Sequence, residues 1–132
     1  MVVSPKALLF LDNDAATVEA VRGLLEDSFP ELAFLTAISW EEVRDTYENW
    51  KDALALVVIE DHFVADRKIS VQVINWLRRK KFAGTILAIF DFPPLMQKMV
   101  MAGCDDILQK PFSIDDLLSA IAVATWRFQS CQ

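Results

Sequence analysis

The chain has 132 residues, enough for one domain with a full core and too few for two ordinary ones. Hydrophobic residues make up 54% and charged residues 24%, a balance that excludes a disordered chain. The formal net charge of -6 argues against general affinity for nucleic acid, which depends on basic surface.

Strand-like apolar runs alternate with helix-like patterns along the chain. Ala7–Leu11 is continuously apolar and runs into Asp12-Asn13-Asp14. From Ala16 to Phe29 the residues Val18, Val21, Leu24, Leu25 and Phe29 recur at helical spacing, with Asp14 as N-cap and Pro30 beyond the end. Ala33–Ile38 predicts a second strand, and Trp40–Trp50 a helix with Val43, Tyr47 and Trp50 on one side. Ala53–Ile59 predicts a third strand, which runs into Glu60-Asp61. His62–Ile69 reads as a loose charged loop. Ser70–Phe82 predicts a helix through Val73, Ile74 and Leu77, stopped by Gly84. Ile86–Phe90 predicts a fourth strand, Pro94–Ala102 a helix stopped by Gly103, and Asp106–Leu108 a short fifth strand. Ser113–Phe128 predicts a final helix, with Ser113 as N-cap before Asp115 and Asp116.

This alternation implies an α/β fold, a single doubly wound parallel sheet with helices on both faces. Continuously apolar strands fit it, because such strands are buried on both sides. Sites in open sheets of this kind lie beyond the carboxyl ends of the strands. The acids Asp12, Asp14, Glu60, Asp61 and Asp91 belong there, as does Asn13.

The N-terminal residues carry no positive region followed by an apolar core, so no signal peptide is expected. No apolar stretch approaches a membrane span, and a cytoplasmic protein without membrane contact is expected. Cys104 and Cys131 are too few for a disulfide framework and stand in no metal-ligand spacing. Both read as reduced thiols, Cys104 as a small buried residue and Cys131 in a tail. The chain could be a whole single-domain protein or a piece of a larger one.

Only three glycines are present, Gly23, Gly84 and Gly103, and none sits between the first strand and helix. That excludes a P-loop and a dinucleotide fingerprint, both of which need close backbone approach to phosphates. The single histidine, His62, would have to serve any nucleophilic triad, and no Ser or Cys has a nucleophile-elbow context. The chain therefore does not read as an enzyme, although a small flavodoxin-like enzyme stays as a remote alternative. What remains is an acidic pocket and Lys110, held next to Pro111 after the fifth strand. Such a set fits either a hard divalent cation with a phosphoryl group or a structural ion pair at the sheet edge.

In order, spacing and final motif the chain resembles the receiver domain of bacterial response regulators in two-component (phosphorelay) signal transduction. Leu8-Leu9-Phe10-Leu11-Asp12-Asn13 is similar to the family's first strand and acidic pair, and Leu56–Glu60 to its third strand with the phospho-acceptor. Ala102-Gly103-Cys104-Asp105-Asp106-Ile107-Leu108-Gln109-Lys110-Pro111-Phe112 is very similar to its stretch ending in Lys-Pro-Phe. The resemblance spans residues 1–132, with a core of about 6–128, and implies a five-stranded flavodoxin-like receiver fold. It implies that an acidic pair and an acceptor Asp bind Mg2+, that the Asp takes a phosphoryl group from a histidine kinase, and that a lysine contacts it.

The match departs from the family at the working positions. Asn13 stands where a carboxylate usually ligates Mg2+, which lowers the charge of the site. Glu60 stands at the phospho-acceptor position, one methylene longer than Asp. The switch hydroxyl at the end of the fourth strand is replaced by Phe90, or by Ala88 when counted back from Gly103, and the switch aromatic by Ile107. Lys110 is retained. The expectation is a pseudo-receiver that acts through protein–protein interaction, with no resident cofactor and Mg2+ at most weakly held. The alternative is a phosphoryl-accepting receiver that uses Asp61 with Asp12, Asp14 and Mg2+. Expected partners are a histidine kinase or a downstream effector, without direct nucleic-acid contact. The resemblance also implies a homodimer face on the fourth helix, fifth strand and last helix, with Ile107 and Trp126. Arg78-Arg79-Lys80-Lys81 reads as the solvated end of the third helix.

Overall fold

A computed structural model describes residues 6–130, with side chains described to residue 125. The strands are β1 (Lys6–Leu11), β2 (Leu32–Thr36), β3 (Leu54–Glu60), β4 (Thr85–Phe90) and β5 (Asp106–Gln109). The helices are α1 (Ala15–Ser28), α2 (Trp40–Trp50), α3 (Lys68–Arg79), α4 (Pro94–Ala102) and α5 (Ile114–Ser130). All strand pairs are parallel and the order is β2-β1-β3-β4-β5. The alternating pattern predicts such a doubly wound parallel sheet, and the strand order is the flavodoxin-like one that the family resemblance implies.

The sheet separates two cores, because successive strand side chains point to opposite faces. Leu9, Leu11, Val57, Ile59, Ala88 and Phe90 face the side covered by α2, α3 and α4. Leu8, Phe10, Leu56, Val58, Leu87 and Ile89 face the side covered by α1 and α5. The same alternation, continued past the strand ends, sends Asp12 and Glu60 to the α1–α5 side and Asp61 to the α3 side.

Local chemistry explains where the elements differ from the sequence reading. β2 ends at Thr36 rather than Ile38, because the cap of α2 takes the next backbone groups. Ser39 Oγ accepts the Glu42 N–H (3.1 Å), and the Glu42 carboxylate reaches back to the Ile38 N–H (2.9 Å). α3 ends at Arg79, before Gly84 is reached. Lys81 adopts φ 68 there, and the Lys80 and Phe82 N–H groups close on the carbonyls of Trp76 and Leu77. α4 does stop at Gly103, whose φ is 123. Residues 62–69 are not a loose loop: Phe63 is buried in the core, and Lys68 and Ile69 already belong to α3.

Gly84 is where a side chain has no room. A Cβ there would lie 2.5 Å from the Ala55 carbonyl oxygen and 2.5 Å from the Phe82 ring. Gly23 is the opposite case, an exposed position within α1 with nothing within 4 Å of a built Cβ. Gly23→Ala is expected to raise stability by about 1 kcal/mol, the helix-propensity difference between the two residues. A urea titration measures it, and an unchanged or lowered midpoint would count against this account of α1.

α2 meets α3 through rings. Trp40 and Tyr47 of α2 stand edge-on to Trp76 of α3, with centroids 5.5 and 5.3 Å apart. Tyr47 also meets Phe82 at 6.3 Å. Among the described residues, no helix is long and apolar enough to cross a membrane.

Candidate functional site

The carboxyl ends of β1, β3 and β5 deliver Asp12, Glu60 and Lys110 to one cleft of about 820 Å³. Asn13, Asp14, His62 and Asp91 also line it. Its walls are apolar, formed by Val21 of α1 and by Phe112, Ile114 and Leu117 at the start of α5. The sequence-predicted set Asp12, Asn13, Asp14, Glu60 and Lys110 is therefore brought together.

Glu60 is the centre of this arrangement. Its residue is 3% exposed, and Oε1 accepts a very short hydrogen bond from Lys110 Nζ. Oε2 accepts the backbone N–H of His62 at 2.9 Å. Burial pushes the Glu60 carboxyl up to about 7; Lys110 pulls it down, and the neighbouring Asp61 carboxyl raises it again. Lys110 is drawn down by burial, but its hydrogen bond to Glu60 and the charges of Glu60, Asp61 and Asp12 hold it above its ordinary value. The two directions agree physically. The carboxylates around Lys110 favour its proton, while Glu60 lies in a dry place beside a second acid. The Lys110–Pro111 peptide is cis.

The first acids are committed to the backbone. Asp12 Oδ1 accepts the Asp14 N–H at 2.9 Å, and burial raises the Asp12 pKa. Asp14 caps α1 as the sequence predicts: Oδ1 takes the Ala16 N–H at 3.2 Å and Oδ2 the Thr17 hydroxyl at 2.7 Å. The Thr17 hydrogen bond lowers the Asp14 pKa.

Asp61 lies outside the cleft. Its residue is 1% exposed, Oδ2 accepts the Asp91 N–H at 3.3 Å, and Arg67 Nε stands 3.7 Å away. Strand β3 runs through Glu60, so Asp61 falls on the opposite face from Glu60 and its side chain meets Arg67. That arginine also meets Asp91 at 3.3 Å and lies 5.4 Å from the centre of the Phe92 ring. Arg67 thus ties the end of β3 to the β4–α4 connection. It is the residue the sequence reading missed, and its only signal was the charge of the loop that carries it. Burial alone would raise Asp91, but Asp61 and Arg67 bring it below its ordinary value.

Phe90 and Ala88 are buried in the α2–α3–α4 core, and Phe90 is 2% exposed. Ile89 and Asp91 are the residues from this strand end that line the cleft. Ile107, on β5, is 40% exposed. Trp126 lies outside the described side chains and Cys131 outside the described residues. Cys104 is a free, half-buried cysteine whose thiol is pushed up to about 11 by burial and by the neighbouring Asp105 and Asp106.

The donor set does not fit a divalent cation in this arrangement. Both Glu60 oxygens and both Asp14 oxygens are occupied, and Asn13 brings no charge. Among the described residues, no three acidic, histidine or cysteine side chains converge on one point.

No protein-family model and no curated protein matches the sequence. Solved structures do. A CheY-like response regulator receiver domain protein from Methanospirillum hungatei superposes with a TM-score of 0.83 at 17% identity, covering 98% of this chain and 100% of that one. A response regulator receiver domain from Clostridium thermocellum gives 0.81 at 17%, covering 96% and 99%. A response regulator from Thermotoga maritima gives 0.76 at 20%, covering 92% and 98%. With its strand order and the position of its acidic cleft, the chain has the fold of the response regulator receiver domains.

Proposed function

We propose that the chain is a receiver domain of two-component signalling that acts by binding protein partners and takes no phosphoryl group at Glu60. The carrying observation is the buried Glu60 carboxylate, held by Lys110 on one oxygen and by the His62 N–H on the other. A phosphoryl donor would meet a carboxylate with a hydrogen-bond partner on each oxygen and a negative charge that burial disfavours. Asn13 brings no charge for a cation, and β4 ends in Ile89 and Phe90, followed by Asp91, without a hydroxyl. Lys110 serves here as a salt-bridge lysine, and Phe90 and Ile107 are switch positions without switch chemistry. The partner is a histidine kinase or an effector in the same cytoplasm. The exposed side chains Met96, Val100 and Ile107 offer α4 and β5 as a contact face, on which a homodimer would also form.

The competing acceptor is Asp61 with Asp12 and Asp14. To react, Asp61 would have to leave Arg67 and the Asp91 N–H and turn from the α3 side into the cleft. Incubation with acetyl phosphate and Mg2+, followed by intact-mass measurement, separates the readings. Unmodified, folded protein is expected. A phosphoryl adduct mapped to Glu60 or Asp61 would overturn the proposal.

A further inference from the structure

Among the described residues, the buried side-chain atoms that lack a hydrogen-bond partner are Asp61 Oδ1, His62 Nδ1 and Arg67 Nε. All three belong to the connection between β3 and α3. Native proteins satisfy almost all such atoms, so exceptions gathered in one short segment mark a place held away from its best-bonded arrangement.

The contacts of Arg67 show what holds it there. Nε stands 3.7 Å from Asp61 Oδ2, too far for a hydrogen bond, while Nη2 reaches Asp91 Oδ1 at 3.3 Å and the guanidinium lies over the Phe92 ring. Asp61 Oδ2 accepts the Asp91 N–H at 3.3 Å. All of these polar contacts are longer than well-formed charge-assisted ones. The Glu60 and Asp91 carboxyls also stand beside Asp61, but an ionised carboxyl offers no donor, and Lys110 is held on Glu60. One guanidinium thus serves two carboxylates and fits neither. An approach of about 1 Å would let Nε and Nη2 meet the two Asp61 oxygens side-on, the paired geometry of arginine and carboxylate. A buried donor and a buried acceptor would then be satisfied. The contacts given up are an ion pair with exposed Asp91, which water screens, and the contact with exposed Phe92.

We propose that the β3–α3 connection is a strap with two arrangements. In the one described, Arg67 holds Asp91 and Phe92; in the closed one, Arg67 pairs side-on with Asp61 and lets Phe92 go. Phe92 lies just before α4, four residues ahead of the exposed Met96, so its release adds an aromatic ring to that end of the α4 face. This consequence rests on the contact-face reading given above: a partner that takes Phe92 together with Met96 binds the closed arrangement and draws the equilibrium toward it. The strap itself needs neither a partner nor a phosphoryl group.

The experiment is 15N relaxation dispersion on the isolated protein at about pH 8, where Glu60 is ionised and its proton cannot serve Asp61 in place of Arg67. The amides of Asp61, Arg67, Asp91 and Phe92 are expected to exchange on the microsecond-to-millisecond scale with one shared rate. Asp91→Ala removes the competing carboxylate and should raise the closed population severalfold. Asp61→Asn keeps the shape, removes the charge and should abolish the closed state. Read at Val64, Lys68 and Leu95, away from the substituted side chains, the amide shifts of these two variants should fall on opposite sides of the wild type. Arg67→Lys has no fork to bridge the carboxylate and should lose the exchange. Shift positions do not depend on the rate, so exchange too fast for dispersion is still detected. Flat dispersion with wild-type shifts that coincide with those of Asp61→Asn would overturn the proposal. So would an Asp91→Ala variant whose shifts move in the same direction as those of Asp61→Asn. No partner is present in the sample, so failure of the contact-face reading leaves these outcomes unchanged.

Discussion

Arg78→Ala is expected to destabilise the domain by roughly 3–4 kcal/mol, a large part of the total for a protein of this size. The side chain looks like one member of a basic helix end, yet its guanidinium ties three segments together. Nε donates to the Gly103 carbonyl at 2.9 Å, and Nη1 donates to the carbonyls of Phe82 (2.7 Å) and Gly84 (3.0 Å). Nη2 meets Asp105 at 2.6 Å, and the same Asp105 oxygen accepts the Ile86 N–H at 2.8 Å. One planar group therefore fixes the end of α3, the entry to β4 and the turn before β5. Removing it takes the arginine donor from three carbonyls and leaves Asp105 with the Ile86 N–H alone. The loss is limited because the Arg78 side chain is 26% exposed and water reaches part of the gap. Lysine offers one compact ammonium in place of a five-donor fork, so Arg78→Lys should recover less than roughly half of the loss. Urea unfolding measures both, and a loss below about 1 kcal/mol for the alanine variant would show the network to be dispensable.

The second large effect depends on pH. Glu60 sits at about 7 in the folded protein against an ordinary 4.5. Between those values the native state keeps a proton that the unfolded chain has released, so stability falls as pH rises through the window. Lys110 limits that fall by pairing with the carboxylate once it forms. Lys110→Met keeps the stem and removes the cation. At pH 5 the variant should match the wild type closely, because Glu60 is protonated in both. At pH 8 it should lose roughly 2 kcal/mol, less than the loss from a fully buried pair because the lysine side chain is 35% exposed. The double variant Glu60→Gln/Lys110→Met should regain most of that at pH 8. Thermal melts from pH 5 to 8 test it. A Lys110→Met deficit that is constant across the range would mean that Lys110 acts by packing and that Glu60 carries little charge.

Much of this architecture was legible because it rests on periodicity. The apolar runs at Ala7–Leu11 and Leu56–Ile59 have no polar face, and only a sheet covered on both sides accommodates them. The acid cleft followed from the same runs, since the strands hand over to Asp12 and Glu60 on one side. What escaped was chemistry between distant residues. The left-handed Lys81 that ends α3 has no compositional mark, unlike Gly103 at the end of α4. Arg78 resembles its neighbours Arg79 and Lys80 in sequence, and only the fold brings Gly103 and Asp105 to it. Arg67 looked like loop charge, yet it reaches Asp61 and Asp91 from the far side of a turn. The early end of β2 depended on a side chain four residues on, Glu42, taking the Ile38 amide.

The contact between Glu60 and Lys110 has a consequence for time. An acyl phosphate hydrolyses, so a domain that carries one forgets its signal at a rate set by its own chemistry. A salt bridge made when the chain folds has no such lifetime. If Glu60 takes no phosphoryl group, as proposed, such a domain would keep no clock, and its influence on a partner would scale with how many copies are present and what else competes for them. Its message would be written in abundance, by synthesis and degradation, and not in the age of a bond.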